Sequence, residues 1–332
     1  MNLMNRRHFI GLSALTTLGL ATSGSLLQAA TQKKVQKPDF SLTGNNVRFF
    51  GEAFSKSTRI VFLSDTHLWQ SDEREEPTRQ YSARMAAAYN QTQHFQTGQP
   101  TNPVQAFEAT LSHAVEQRAD LLVLAGDIFS YPSEAAIEWL HARVKESNIP
   151  YLYIAGNHDW HYEGMPGTLD HLRETWTAKR LKPLYQGENP LMTYRDINGI
   201  RFIAIDDSTY EIHPDQLAFY TKYSQFDGPV VLLAHIPMYV PGRPFTYGCG
   251  HPQWGVVEDT GYTLERRPQW PRTGHTKVTM EFHRRVFSTA NLAGILTGHI
   301  HTQSLDVYKG IPQFVAPPNL AGGYLDVSFD PS

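Results

Sequence analysis

Cysteine is nearly absent: Cys249 is the only one in 332 residues. That excludes an internal disulfide framework and any cluster of thiolate metal ligands. A metal site in this chain must therefore be assembled from His, Asp, Glu and Asn. Nor is there an excess of positive charge, since 29 Lys and Arg face 32 Asp and Glu, for a formal charge of −3. A polyphosphate backbone finds little to bind in that balance, so no nucleic-acid surface is expected. Internal repeats and low-complexity stretches are missing too. With 41% hydrophobic and 18% charged residues, the composition excludes a disordered chain, a coiled coil and a collagen-like fibre.

The N-terminus reads as an address rather than as fold. After Arg6-Arg7 no Lys, Arg, Asp or Glu appears until Lys33. The intervening stretch is diluted by Gly, Ser and Thr and ends in small residues at Ala29-Ala30. A charged start, a mild apolar run and small residues at its end describe a signal peptide over 1–30. Asn5-Arg6-Arg7-His8-Phe9-Ile10 resembles a twin-arginine signal, without the usual Ser or Thr before the pair. The resemblance implies the twin-arginine translocase as a partner, a periplasmic or secreted product, and membrane contact only during export. Residues 31–57 read as a polar lead-in with a first strand around 47–50.

From Thr58 onward short apolar runs alternate with amphipathic stretches, and no linker divides 58–332. The runs at 59–63, 121–125, 151–155, 230–234 and 292–296 have the look of strands buried on both faces. Runs at 192–196 and 201–205 flank Asn198-Gly199, a hairpin signal. Helical spacing marks 104–118, 133–147, 168–179, 214–225 and 277–289, with Ser133 and Asn102-Pro103 as start signals. Short strands follow at 305–308, 313–316 and 324–329. Parallel-type units followed by antiparallel ones predict a layered α/β domain with mixed sheets.

Each of five buried runs opens directly into a polar cluster. These are Ser64-Asp65-Thr66-His67, Gly126-Asp127, Gly156-Asn157-His158-Asp159, His235-Ile236-Pro237 and Gly298-His299-Ile300-His301. Ligands of open α/β sheets gather beyond the carboxyl ends of strands, so the five clusters are expected to converge. Asp65 and His67, like His299 and His301, stand two apart, which in an extended segment directs both side chains to one face. Nitrogen and oxygen donors without sulfur suit Mn, Fe, Zn, Co or Ni without choosing among them.

In these five motifs, in this order, the chain resembles the calcineurin-like metallophosphoesterase family. The resemblance spans 65–301 and implies a four-layer α-β-β-α sandwich, two mixed sheets flanked by helices. It further implies two metal ions, the first held by Asp65, His67, Asp127 and His301. The second would be held by Asp127, Asn157, His235 and His299, with Asp127 bridging. His158 would be the catalytic residue beside them, protonating the leaving oxygen while a metal-bound hydroxide attacks phosphorus. Many members carry an acidic residue three positions after the Gly-Asp aspartate. Here that position is Ser130, which leaves neighbouring Asp159 as a candidate partner for His158.

An irregular insertion at about 238–276 interleaves aromatics with arginines. Together with Asn157, its Arg243, Arg266 and Arg267 are candidates for binding the phosphate ester. A second excursion, 69–103, would form the opposite wall, its Asp72–Glu76 charge run lying in solvent. The expectation is an exported dinuclear phosphoesterase acting on a small phosphomonoester or phosphodiester. The alternative is a non-catalytic metal-binding envelope protein on the same fold.

Overall fold

The structure, a computed structural model, describes residues 37–89, 92–244, 247–254 and 274–332. The signal peptide expected at 1–30, together with Arg266, Arg267 and most of the insertion, lies outside the described residues. Strands β1 (Asp39–Thr43), β2 (Asn46–Phe50) and β3 (Thr58–Leu63) come first, then a two-stranded ribbon, β4 (Thr92–Gln93) and β5 (Pro100–Thr101). Next come β6 (Leu121–Ala125), β7 (Tyr151–Ile154), β8 (Met192–Ile197), β9 (Ile200–Ile205) and β10 (Val230–Leu233). The last four are β11 (Leu292–Thr297), β12 (Ser304–Tyr308), β13 (Ile311–Val315) and β14 (Leu325–Asp330). They form two six-stranded sheets in the orders β1-β2-β14-β3-β6-β7 and β12-β13-β11-β10-β9-β8. Both are mixed: β3, β6 and β7 run parallel in one, and β9, β10, β11 and β13 in the other, each set beside antiparallel strands.

The strands alternate between two apolar destinations, as a period of two requires. Ile60, Phe62, Leu121 and Val123 face Phe202, Val231, Leu233 and Phe314 in the layer between the sheets. There Phe49 meets Phe314 at 5.6 Å and stacks on Phe329 at 5.1 Å. Val61, Leu63, Leu122 and Leu124 face outward to Phe107 and Leu111 of α2 (Pro103–Glu116) and Ile137 and Leu140 of α3 (Glu134–Glu146). On the far side Ile203, Leu232 and Ile295 pack on Tyr220 of α5 (Pro214–Tyr223) and Phe282 and Val286 of α6 (Lys277–Val286). The molecule is thus the four-layer sandwich, helix, sheet, sheet, helix.

Side-chain caps start the helices where the sequence signals them: Asn102 accepts from the Gln105 N–H and Ser133 from the Ala136 N–H. Helix α4 (Leu169–Trp176) is shorter than its spacing suggests. It widens into a π-helical segment, Thr177–Leu181, as Pro183 approaches.

Three features depart from expectation. The expected first strand around 47–50 is β2, but another strand, β1, precedes it. β1 and β2 pair through all five residues, and β2 runs parallel to β14, so the lead-in supplies one strand beyond the expected one. The second excursion contains a helix, α1 (Arg79–Ala88). The charge run before it is not all solvated: Glu75 is 2% exposed, pairs with Arg180 at 2.9 Å and accepts from the Tyr162 hydroxyl. That pair pins the excursion to the segment after α4. Among the described residues no helix is long and apolar enough to cross a membrane.

Candidate metal centre

Strands β3, β6, β7, β9, β10 and β11 each end in a polar turn, and the two sets of ends meet. The contact is close enough to require glycine. A Cβ on Gly126 would stand 2.6 Å from the His235 ring, and one on Gly298 would stand 2.0 Å from Ser64 Oγ. Asp65, His67, Asp127, His299 and His301 all adopt left-handed backbone, with φ between 50° and 73°. For non-glycine residues this costs roughly 1–3 kcal/mol each, and packing must hold it in place. The extended conformation expected for the Asp65/His67 and His299/His301 pairs is therefore absent. Because the chain turns at each residue, His299 and His301 go to different groups rather than sharing a face.

The first group is Asp65, His67 and His301, the second Asp127, His235 and His299. Within each, one donor atom per residue lies within 4.8 Å of the others. In the first, His67 Nε2 is 3.0 Å and Asp65 Oδ1 3.4 Å from His301 Nε2. In the second, Asp127 Oδ2 is 3.3 Å from His235 Nε2. Two imidazole nitrogens each ~2.0–2.1 Å from one ion stand about 3 Å apart, which the His67–His301 spacing matches. Asn157 is wholly buried, and neither atom of its amide finds a hydrogen bond; the same holds for Asp65 Oδ1 and His235 Nε2. Buried polar atoms are rarely left so. Orphaned N and O donors converging on two points fit a pair of cations.

Charge favours the same reading. Burial would raise the Asp65 carboxyl, but neighbouring His301 holds it below the usual carboxylate range. Asp127 is likewise held down against its burial, by His235 and then His158. Burial would lower His235, yet Asp127 outweighs it and raises the imidazole to about 10, so this spot selects positive charge. His67 is pushed well down, by burial and then by His301 and His158, and so stays neutral, the form that ligates.

Surrounding groups fix the donors. His235 Nδ1 donates to the Ala125 carbonyl at 2.9 Å, which directs Nε2 at Asp127. Asp65 Oδ2 accepts from the Ser64 hydroxyl and the His299 N–H. Asp127 Oδ1 accepts from the His158 N–H at 2.7 Å. His158 itself has Nδ1 3.3 Å from the Ser130 carbonyl, so position 130 serves the histidine through its backbone. Asp159 does not take that role. Its oxygens accept from the Phe129 and Gly156 N–H groups, bracing the turn, while burial and the charge of Asp127 raise it to about 8.

Two aromatic residues and one carboxylate join the site without a motif to announce them. The Tyr210 hydroxyl is 2.8 Å from His299 Nε2. Tyr89 stacks on His67 at 3.8 Å. Asp207 Oδ1 accepts from the His235 and Ile236 N–H groups. A signal for Asp207 does exist, because β9 also runs into a polar cluster, Asp206-Asp207-Ser208. Arg243, a candidate for substrate, is instead bound 2.8 Å from Asp306 and lies over the Tyr247 ring. Arg266 and Arg267 lie outside the described residues.

A fold of this kind with this strand-end chemistry defines a class, and the chain's own match places it there. The calcineurin-like phosphoesterase model matches residues 58–303, and the chain belongs to that family, which is metal-dependent. A probable cyclic nucleotide phosphodiesterase of Fibrobacter succinogenes is 25% identical over 200 residues, 60% of this chain and 64% of that protein. Another, from Psychrobacter sp., is 23% identical over 219 residues, 64% of this chain and 56% of that protein. The chain thus spans about three fifths of the length of these relatives. Among solved structures, a dimetal phosphatase from Danio rerio covers 80% of this chain and 88% of its own, with TM-score 0.47 and 11% identity. The purple acid phosphatase PPD1 of yellow lupin covers 84% and 48%, with TM-score 0.48 and 15% identity.

Proposed function

We propose that the protein is a two-metal phosphoesterase that hydrolyses a small phosphodiester or phosphomonoester and is exported through the twin-arginine translocase. The reading rests on one observation: two carboxylate–imidazole groups, each drawn from both sheets, carry buried donors that no hydrogen bond satisfies. Asp65, His67 and His301 would hold one ion, and Asn157, His235 and His299 the other, with Asp127 between them. When bound, two divalent ions supply Lewis-acid stabilisation of the attacking and leaving oxygens and a nucleophile at neutral pH. His158 gives its proton to the departing alkoxide, its ring set by the Ser130 carbonyl. Asn157 amide N–H groups, buried beside them, also orient a phosphate oxygen. The names of the relatives, probable cyclic nucleotide phosphodiesterases, favour diesters.

Purified protein is expected to hold ~2 transition-metal ions per chain, as a bridged pair requires. It should hydrolyse bis-p-nitrophenyl phosphate, p-nitrophenyl phosphate or cyclic nucleotides, and lose that activity to a chelator. Full metal occupancy without turnover of any ester would favour a non-catalytic metal-binding envelope protein instead. Export is tested separately. Replacing Arg6 and Arg7 with Lys should leave the precursor in the cytoplasm, and normal export of that variant would refute the twin-arginine route.

A further inference from the structure

Beside His158 lies a cavity of about 200 Å³. Met85, Ala88 and Tyr89, from the end of α1 and the residue after it, form one side, and His158 and His161, which follow β7, form the other. Arg84 and Glu163 also line it and are paired, Nε to Oε2, at 2.7 Å. Met85 is buried and its sulfur accepts from the Glu163 N–H at 3.3 Å, tying the two sides together.

We propose that this cavity receives the leaving group of the ester, and that it selects a compact, uncharged aromatic group. The proposal rests on the phosphoesterase reading above and names the part of the substrate that the strand ends leave open. Tyr89 lies flat over His67, at 3.8 Å and 15°, and meets His158 edge-on at 5.8 Å. His158 in turn meets His67 at 5.0 Å. His158 therefore borders both the Asp65–His67–His301 group and the cavity. A general acid must stand within hydrogen-bond reach of the oxygen it protonates. The bonds beyond that oxygen then continue into the space His158 borders. Size and charge define what fits. An apolar cavity of about 150 Å³ holds a benzene ring, so this one admits a single ring with a short tether, or a fused pair. Met85, Ala88 and Tyr89 offer apolar and aromatic surface, and the Arg84–Glu163 pair balances its own charge. A second phosphate on the leaving group gains no unmatched cation from that pair.

The test compares phosphate esters whose leaving alcohols match in acidity but differ in shape, aryl against compact fluoroalkyl, in the metal-loaded full chain. Wild type should favour the aryl ester in kcat/KM by about tenfold or more, the range in which pocket fit discriminates. Ala88→Leu, which fills the cavity from the exposed end of α1, should reduce that preference at least about tenfold at wild-type metal content. Met85→Ala, which enlarges the cavity, should shift the preference toward fused-ring leaving groups. A competing neutral phenol should inhibit wild type more strongly than Ala88→Leu, a readout that needs no chemical step. If both variants alter aryl and alkyl esters by equal factors, the cavity does not hold the leaving group. Turnover of no ester at all by metal-loaded wild type would instead overturn the phosphoesterase reading, a distinct result.

Discussion

In the Asp127–His235–His299 group both imidazoles have a hydrogen-bonded tether, His235 to the Ala125 carbonyl and His299 to the Tyr210 hydroxyl. In the Asp65–His67–His301 group, His67 Nδ1 has no hydrogen bond, and the ring is held by stacking on Tyr89. The second group is thus oriented before a ligand arrives, and the first is more adjustable. Ordered donors lose less freedom on binding and hold an ion more tightly. The ion of the first group should accordingly exchange faster, which time-resolved chelation of metal-loaded protein would measure as two phases.

The largest effect should come from abolishing the distinction. Asp127→Ala removes the carboxylate that would bridge the two ions and would leave two cations to repel each other, so both ions should be lost together. Retention of either ion at wild-type affinity would show that Asp127 is not shared. Next in size is His158→Asn, which should leave both ions in place and lower turnover by roughly 10²–10⁴-fold. The deficit should shrink for p-nitrophenyl esters, whose leaving group needs little protonation. An equal deficit for good and poor leaving groups would remove His158 from the role of acid.

A sharper test addresses the tethers themselves. Tyr210→Phe should weaken one ion by about 10–100-fold, the usual effect of removing a ligand's hydrogen-bond partner, and should spare the other. If both ions weaken equally, the two groups are not independently held. The smallest effect concerns the scaffold behind Tyr210. Its ring stacks on Trp254 at 4.6 Å, Trp254 stacks on His275 at 5.1 Å, and His275 Nδ1 pairs with Glu211 at 2.9 Å. Partial burial opposes ionisation of Glu211, but its bonds to His275 and Thr279 hold it below its ordinary 4.5. A carboxylate depressed in this way contributes stability above its unfolded value, and that stability is lost as pH falls through the folded value. Wild type should therefore lose Tm below about pH 4.5 more steeply than Glu211→Gln. Parallel pH curves for the two proteins would argue against the link.

The five strand-end clusters were legible because each follows a short apolar run of the kind that strands buried on both faces present. Their ligand types then followed from the near-absence of cysteine. Tyr89 and Tyr210 were not legible, since an aromatic residue acquires a role from what folds beside it, and neither sits in a spacing tied to metals. Helix α1 escaped for another reason: Arg79–Ala88 reads RQYSARMAAA and carries no apolar stripe, only Ser82 and Met85 being buried. Glu75 looked like solvent-facing charge until Arg180, 105 residues away, was brought against it. The β1–β2 hairpin does have a local signature. Gly44-Asn45 joins two runs that alternate between exposed and less exposed residues, a turn of the type that links paired strands.

His67 and His301 touch across 234 residues of chain, and the second sheet must be docked on the first before either group is complete. Contacts so distant in sequence form late, because the intervening loop must be closed before anything rewards it. Neither group can therefore exist on a nascent or half-folded chain. Ion capture would then be the last act of folding, and an ion bound to either group would clasp the two sheets together by mass action. The compartment in which the sheets meet decides which metal the protein carries, since nitrogen and oxygen donors discriminate weakly and local supply prevails.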